Sequence, residues 1–429
     1  MAPPRSIGTT VLGIATAAFL ALSLTPAHAS VGLPRVVAVE ASARTPQVVD
    51  TNGANNNVLV FAQVGDVMYV GGVIGNVQNA ARTVTYARSN VFAFRVSTGD
   101  VLGFAPAVNG AVWAIVPQGD GSLILGGSFT GVNGVARRGL ARVSSGGVLD
   151  TGFTGAGMRS GGVTDAQLVR GLLIVSGSFP ARLLALNPGT GADTGYIRLP
   201  VTGTIASNAG ATRVYRFAVD PAGTRLVGIG NFTSVGGLAR RQAFMADLGA
   251  SQATMSSWYD PNLAKQCSAS ILPAYLRDVD WSPDGATFGL ASTGFVPKAG
   301  DLGLSICDAA ALYDPGSNRP RWINYTGGDT LHSIAVTGPV VYVGGHQRWL
   351  DNPLGRDSAG PGAQPRPGIG AIDATTGKAI SWNPGKTRGV GAKVLYVTSS
   401  PAGLWVGSDG RMFHGKVRDS LAFCAMPSA

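Results

Sequence analysis

VWAIVPQGDGSLILGG, residues Val112–Gly127, is an apolar run interrupted by a Gly-Asp-Gly turn and ended by two glycines. Asp-Gly, Gly-Pro and Pro-x-Gly turns between β-branched residues predict tight β-hairpins. The layout recurs about every 50 to 60 residues, a spacing typical of propeller blades. The other six stretches are Val58–Gly72, Ala166–Gly177, Tyr215–Gly230, Leu276–Ser292, Leu331–Gly345 and Val394–Gly407.

The residues after each hairpin complete a four-stranded repeat. A polar loop leads to a third strand, such as VFAFRV at Val91 or IGAID at Ile369, and a Gly-rich turn leads to a fourth. The chain contains 62 glycines and only 13% charged residues, as expected for short sheets joined by tight turns. No long stretch has a helical apolar period. The sequence therefore predicts an all-β fold, a seven-bladed β-propeller.

The two ends of the chain are expected to meet in the last blade. Blade seven lacks a fourth strand, because the chain ends soon after Leu421. Thr45–Asp50 (TPQVVD) precedes the first hairpin as FAPAVN at Phe104 precedes the second, so we expect it to supply that strand. Such closure protects sheet edges. The predicted domain covers residues 45–426, after a linker at 30–44 and before a tail at 427–429.

The first 29 residues have the pattern of a secretory signal peptide. Arg5 precedes an apolar run from Val11 to Leu24, and Ala27-His28-Ala29 supplies the small-x-small cleavage site. An uncleaved anchor is the alternative, but about 14 apolar residues are short for a membrane span. We therefore expect a secreted, extracellular protein, free or associated with the cell wall, with no transmembrane segment after cleavage.

The cysteines fit an exported protein. Cys267 and Cys307 flank one repeat, and export permits disulfides. We expect these two to pair, which leaves Cys424 unassigned.

Two segments carry a family resemblance. GGSFTGVNGVARRGLARVSSGGVLDTGF (Gly126–Phe153) resembles the delta-60-type, kelch-like propeller repeat, and GNFTSVGGLARRQAFM from Gly230 repeats it. The segment from Val341 to Asp373, the Cys267/Cys307 pair and WVGSDG at Trp405 resemble exported propellers of actinobacteria. The resemblance covers nearly all of the chain after the leader. It implies the fold and the compartment, and it implies no established reaction.

Basic residues dominate one expected face of the disc. The formal charge is +10, and about +9 remains without Arg5, which favours acidic partners. Acidic residues are few in the loops between second and third strands, and they include Asp301, Asp351, Asp357 and Asp409. The basic residues of these loops are Arg82, Arg88, Arg137, Arg138, Arg240, Arg241, Arg348, Arg356, Arg366, Arg411 and Lys416.

Four of these arginines have a competing interpretation. Arg88, Arg137, Arg240 and Arg366 recur at one place in the repeat, shortly before the third strand. Recurrence within one chain suggests that they build the blades by capping carbonyls of a neighbouring loop.

The longest of these loops, from His346 to Pro367, is the predicted ligand-binding site. A tryptophan beside arginine and aspartate can stack on a sugar ring and bind its substituents. The alternative is that the loop packs over the disc and buries its tryptophan. The candidate residues are His346, Arg348, Trp349, Asp351, Arg356 and Asp357.

Signals for catalysis and cofactors are weak. His332, His346 and His414 lie on different blades, and no HExxH or CxxC spacing occurs, so we predict neither a metal site nor a cofactor. Asp278 and Asp280 share a face of an innermost strand, where one could line the channel. That arrangement alone does not make an acid/base pair.

These features together predict a non-catalytic binding or scaffold propeller at the cell envelope. The expected partner is an anionic polysaccharide, a cell-wall polymer or an envelope protein, and not nucleic acid. The alternative is a carbohydrate-active enzyme, a lyase or glycosidase, with its site at the channel mouth. Fold alone does not decide between them.

Overall fold

The computed structural model describes residues 31–49, 56–155, 158, 160–205, 210–268, 275–386 and 391–427. The expected leader at 1–29 lies outside the described residues.

Among the described residues, seven sheets share one plan, in which each strand is antiparallel to its neighbours in the sheet. We number them blade one to blade seven in chain order. Their strands are β2 Asn57–Val64, β3 Val67–Val73 and β6 Val91–Arg95; β7 Val112–Pro117, β8 Leu123–Gly127 and β11 Leu140–Val143; β12 Val163–Val169, β13 Leu172–Gly177 and β14 Leu183–Leu186; β16 Arg213–Val219, β17 Arg225–Asn231, β20 Ala243–Leu248 and β21 Ala253–Met255; β22 Leu276–Trp281, β23 Phe288–Ser292, β24 Ala309–Tyr313 and β25 Pro320–Tyr325; β26 Leu331–Val336, β27 Val340–Gly345 and β30 Ile369–Asp373; and β31 Ala392–Ser399, β32 Ala402–Ser408 and β35 Leu421–Ala425.

Five blades also carry a small ribbon in the loop between their second and third strands. We call the end of the sheets that holds these loops the ribbon face. One turn of 3-10 helix, Pro261–Ala264, is also present. The ribbon strands are β1 Gln47–Val49, β4 Asn76–Gln78 and β5 Thr85–Ala87; β9 Gly131–Val132 and β10 Val135–Ala136; β15 Val201–Thr202, β18 Ser234–Val235 and β19 Leu238–Ala239; β28 Trp349–Leu350 and β29 Gln364–Pro365; and β33 Met412–Phe413 and β34 Lys416–Val417.

The sheets follow one another around an axis. The first strand of each blade contacts the first strand of the next, and β31 contacts β2. The described core is divided into apolar clusters between neighbouring blades. Between blades seven and one, Phe61 packs near Trp405, which stacks on Phe423 at 4.4 Å. The chain is thus an all-β protein with the β-propeller fold, as the repeats predicted.

A close backbone contact explains the glycine that ends five of the hairpins. A Cβ atom on Gly127 would lie 2.1 Å from the carbonyl oxygen of Ala111, just before β7. A Cβ on Gly72 would lie 1.8 Å from the oxygen of Asn57. Blades five and seven have Ser292 and Ser408 at this place. At the glycine positions the innermost strand can begin only because no side chain is present.

The segment expected to close blade seven lies elsewhere. Gln47–Val49 pairs with Asn76–Gln78 in the ribbon of blade one, although Val48 also donates to the Asp419 oxygen at 3.1 Å. Val108 pairs in the same way with Val132 in the ribbon of blade two. The likeness of TPQVVD to FAPAVN is therefore real, but both segments cross to the ribbon of the blade that follows. Over its described residues 45–49, the assignment of Thr45–Asp50 to blade seven was therefore wrong, and Asp50 lies outside the described residues.

Residues nearer the N-terminus lie against blade seven instead. The amides of Ala38 and Ser42 donate to the oxygens of Ala425 and Phe423 in β35, at 2.9 and 2.8 Å. Leu33 and Val37 are buried in the apolar cluster between blades six and seven. The expected linker at 30–44 is thus, over its described residues, part of the folded body, because its apolar side chains fill that cluster.

The close contact at the hairpin glycines predicts that alanine is more destabilising there than at an open glycine. Gly127→Ala should lower the free energy of unfolding by about 1–3 kcal/mol, because the added methyl group forces the backbone of β7 or β8 to shift. The matched control is Gly316→Ala, where a Cβ meets nothing within 4 Å. Denaturant unfolding of both variants measures the difference, and equal stabilities would contradict the packing argument.

Candidate functional site

The blade-six loop, the predicted site, is an ordered structure. Leu350 in its ribbon is fully buried. The buried Asn352 amide donates to the oxygens of Thr326 and Ser358, both at 2.9 Å, and accepts from the Gly360 amide at 2.7 Å. One side chain thus fixes the loop against the chain that joins blades five and six.

Arg348 is used inside this loop. Its guanidinium donates two hydrogen bonds of 2.9 Å to the two carboxylate oxygens of Asp329, and it also contacts the Asp357 carboxylate. Hydrogen bonds to Asp329 and Asp357 raise the pKa of Arg348. Paired with two carboxylates and only partly exposed, this arginine supports the loop and is not a free anion-binding group.

The other loop residues separate into different environments. Trp349 is half-buried, with the Arg348 guanidinium 4.4 Å from its ring centroid. Asp351 accepts from the Asn324 amide at 2.6 Å and from the Ala379 backbone at 3.1 Å, so it ties the ribbon to outer strands of blades five and six. Arg356 and Asp357 are exposed. The structure therefore brings together Arg348, Trp349 and Asp357.

His346 faces a different group of residues. Its ring lies edge-on to His332, with the centroids 4.7 Å apart, and its Nε2 is 3.3 Å from Lys393 Nζ. Partial desolvation, followed by the charge of Lys393, lowers the pKa of His346. Lys393 also pairs with Asp409 at 3.0 Å. Sequence reasoning placed the histidines on different blades, whereas His332 and His346 both belong to blade six. Nothing in the spacing along one chain shows that they meet Lys393 of blade seven.

The recurring arginines do cap carbonyls, as one of the two interpretations proposed. Arg88 donates to the Leu102 oxygen at 2.9 Å, and Arg137 donates to the Thr151 oxygen at 3.1 Å. Arg240 and Arg366 make the same bond to the carbonyls of Ser256 and Ile380. Each also donates to the carbonyl of the residue just before it.

The sequence reasoning missed a fifth member of this set. Arg418 donates to the oxygen of Val417, the preceding residue, at 2.8 Å and to the Ser42 oxygen at 3.0 Å. The Arg-x-x-apolar motif is present in Arg418-Asp419-Ser420-Leu421, and it could have revealed this residue. Its partner is 376 residues away, whereas Arg88, Arg137 and Arg366 have partners 14 residues ahead.

The channel aspartates support the inner ring of strands. Asp278 accepts from the Ile334 amide at 2.9 Å, and Asp280 accepts from the Val336 amide at 2.7 Å. Both carboxylates line the central channel and bond to the innermost strand of the next blade, whose inner edge has no strand partner. Burial raises the pKa of Asp278 to about 6. Their main contacts are thus structural.

The expected disulfide is present between Cys267 and Cys307, which are 40 residues apart, and Cys424 is buried and free. Within the described ranges, no three His, Cys, Asp or Glu side chains are grouped closely enough to hold a metal ion. None of the helices in that part of the chain is long and apolar enough to span a membrane.

Comparison with known proteins supports the fold. Residues 118–153 match the model of a family described as a domain of unknown function (DUF5122) β-propeller. Curated protein sequences give no significant match.

Solved structures that resemble the chain share little of its sequence. The computationally designed Ika8 protein has a TM-score of 0.47 at 10% identity, over 89% of this chain and 99% of that one. The WD40 β-propeller domain of Doa1 also has a TM-score of 0.47 at 10% identity, over 87% and 97%. The extracellular domain of BT4673 from B. thetaiotaomicron has a TM-score of 0.44 at 10% identity, over 88% and 39%.

Neighbouring arginines on one ribbon allow a test of the carbonyl caps. Arg137→Ala should lower the free energy of unfolding by about 1–3 kcal/mol, because two carbonyls lose a charged donor. Arg138→Ala is the control, because Arg138 is exposed and its side chain makes no hydrogen bond or ion pair with the described residues; its effect should stay within about 0.5 kcal/mol. Thermal and denaturant unfolding measure both. Equal losses would show that the caps do not stabilise the blades.

Proposed function

We propose that this protein is an exported, non-catalytic binding or scaffold propeller that recognises an anionic glycan or cell-wall polymer at the cell envelope. The signal-like leader and the disulfide support export, because disulfides persist in oxidising compartments. The observation that carries the binding function is the unneutralised positive charge of the ribbon face.

That charge survives because many arginines are paired with neutral groups. Among the described residues, no carboxylate lies within 4 Å of the side-chain nitrogens of Arg82, Arg138 or Arg356, and all three are exposed. Arg411 and Lys416 are also exposed, and each has one acidic neighbour. A guanidinium bound to a carbonyl keeps its full charge, so the carbonyl caps add to the positive potential of this face.

The predicted blade-six site has a narrower role in this proposal. Arg348 and Asp351 are used by contacts within the protein, whereas Trp349 and Arg356 retain exposed surface beside the basic residues. The half-buried indole of Trp349 offers an apolar face for a sugar ring. We expect the loop to supplement ionic binding by stacking.

We further propose that the seven sheets form a closed ring, with residues 38–42 as the fourth strand of blade seven. Support comes from the position of Ser42. Its amide donates to the third strand and its carbonyl accepts from Arg418, as Leu102 does with Ala93 and Arg88 in blade one. Ser256 and Ile380 have the same pair of bonds in blades four and six.

The second candidate is a carbohydrate-active enzyme that uses the channel. The elevated pKa of Asp278, to about 6, suits a general acid, and Arg216 and Asp165 line the same cavity. Asp278 already accepts a backbone hydrogen bond, which favours the binding function. Cleavage of an acidic glycan by the wild type, abolished in Asp278→Asn, would favour the enzyme.

Salt dependence tests the binding function. Affinity for polygalacturonate or a teichoic acid should fall steeply with salt, because contacts on a wet surface are screened within about 8–10 Å. The double variant Arg138→Gln/Arg356→Gln should bind more weakly and with a shallower salt dependence. The control is Arg319→Gln, an exposed arginine in the turn between β24 and β25 on the opposite face. The proposal fails if neither polymer binds, or if the control weakens binding equally.

Truncation tests the closure. A chain lacking residues 31–42 should melt at a lower temperature, because β35 is left with an unpaired edge. A synthetic peptide of residues 31–44 added in trans should restore part of the loss. The same peptide with Ser42→Pro should restore less, because it cannot donate to Phe423. A truncated protein that melts at the wild-type temperature would contradict the closure.

A further inference from the structure

The innermost strands share a second irregularity. Each of the seven has one register shift near its ribbon-face end, after the first residue pair in five blades and after the second pair in blades one and four. A β-bulge of this kind leaves one residue unpaired and redirects its side chain. The bulge residues are Leu59, Trp113, Thr164, Tyr215, Arg277, His332 and Lys393.

The bulge residues divide by chemistry around the axis. Blades one and two contribute Leu59 and Trp113, whereas blades four to seven contribute Tyr215, Arg277, His332 and Lys393. We call these last four the channel-mouth arc. All four stand at the ribbon-face ends of adjacent innermost strands, and residues further along these strands line the central channel.

The arc is connected by direct contacts. Arg277 approaches His332 Nδ1 at 3.2 Å and also contacts the hydroxyl of Tyr275. The ring of Tyr275 stacks on that of Tyr215 with centroids 5.1 Å apart, and the two hydroxyl oxygens are 3.2 Å apart. The arc continues from His332 through His346 to Lys393.

Of the two cationic side chains in this arc, only one has a carboxylate partner among the described residues. Lys393 has one carboxylate partner, Asp409. Arg277 has no carboxylate within 4 Å among the described residues; its neighbours are a tyrosine hydroxyl and an imidazole. Because Nδ1 of His332 accepts from Arg277, the proton of this neutral ring is on Nε2, a buried atom with no hydrogen-bond partner in the described structure.

We propose that the channel-mouth arc binds the carboxylate of a single acidic sugar, a uronic acid residue. The planar guanidinium of Arg277 matches a carboxylate, and Lys393 adds a second donor. The half-buried indole of Trp113 supplies aromatic surface for the sugar ring. The inference rests on the proposed function and deepens it. One sugar unit would lie at the axis, and the rest of the polymer would lie across the ribbon face.

Titration calorimetry with glucuronate tests this site separately from the basic face. Arg277→Gln should weaken glucuronate binding about tenfold or more, because a charge-assisted hydrogen bond is lost. Lys393→Gln provides a second variant if Arg277→Gln folds poorly. Arg319→Gln, on the opposite face, should leave glucuronate binding unchanged. Glucose is the neutral control and should not bind.

The outcomes separate the two proposals. If the wild type binds polygalacturonate but not glucuronate, this inference is wrong and the proposed function stands. If inorganic phosphate competes as well as glucuronate does, the arc is a general anion site and the sugar assignment is wrong. If neither glucuronate nor any polymer binds, both fail. Loss of glucuronate binding in Arg277→Gln and Lys393→Gln, but not in Arg319→Gln, supports the arc.

Discussion

The arrangement of the blades depends on a close approach of two backbones at the ribbon-face end of the first hairpins. Where the second strand ends in glycine, the carbonyl before the first strand occupies the space of a side chain. In all seven sheets, including the two with serine at this place, the innermost strand enters the sheet with a bulge, and the bulge residue has no partner on the strand beside it. The same local geometry thus produces both the regular body of the propeller and the variable residues at its mouth.

The repeated hydrogen bonds from arginine to carbonyl groups link the stability of the blades to the charge of the surface. The carbonyl caps bind the outer strand of a blade through guanidinium groups rather than through ion pairs. An ion pair would stabilise the blade and cancel a charge, whereas a carbonyl leaves the charge in place. The arginines that stabilise the blades therefore also make the surface positive, whether or not they contact a ligand.

The hairpins and the fold could be predicted from sequence because their determinants are local. Turn residues lie between the strands that they join, and the arginine caps recur at a fixed place. The closing strand was misassigned because Thr45–Asp50 and Phe104–Asn109 are alike, and likeness does not show which of two adjacent edges a segment joins. The role of Arg348 was missed for a related reason: its main partner, Asp329, lies 19 residues away in another connection.

The bond between Arg418 and Ser42 joins residues 376 positions apart, nearly the whole described chain. Contacts of such sequence separation form slowly, because a long loop must close before they stabilise anything. The contacts inside each sheet need only short loops, so the sheets can form before this bond does. The hydrogen bond between Arg418 and Ser42 is therefore expected to be among the last contacts made during folding.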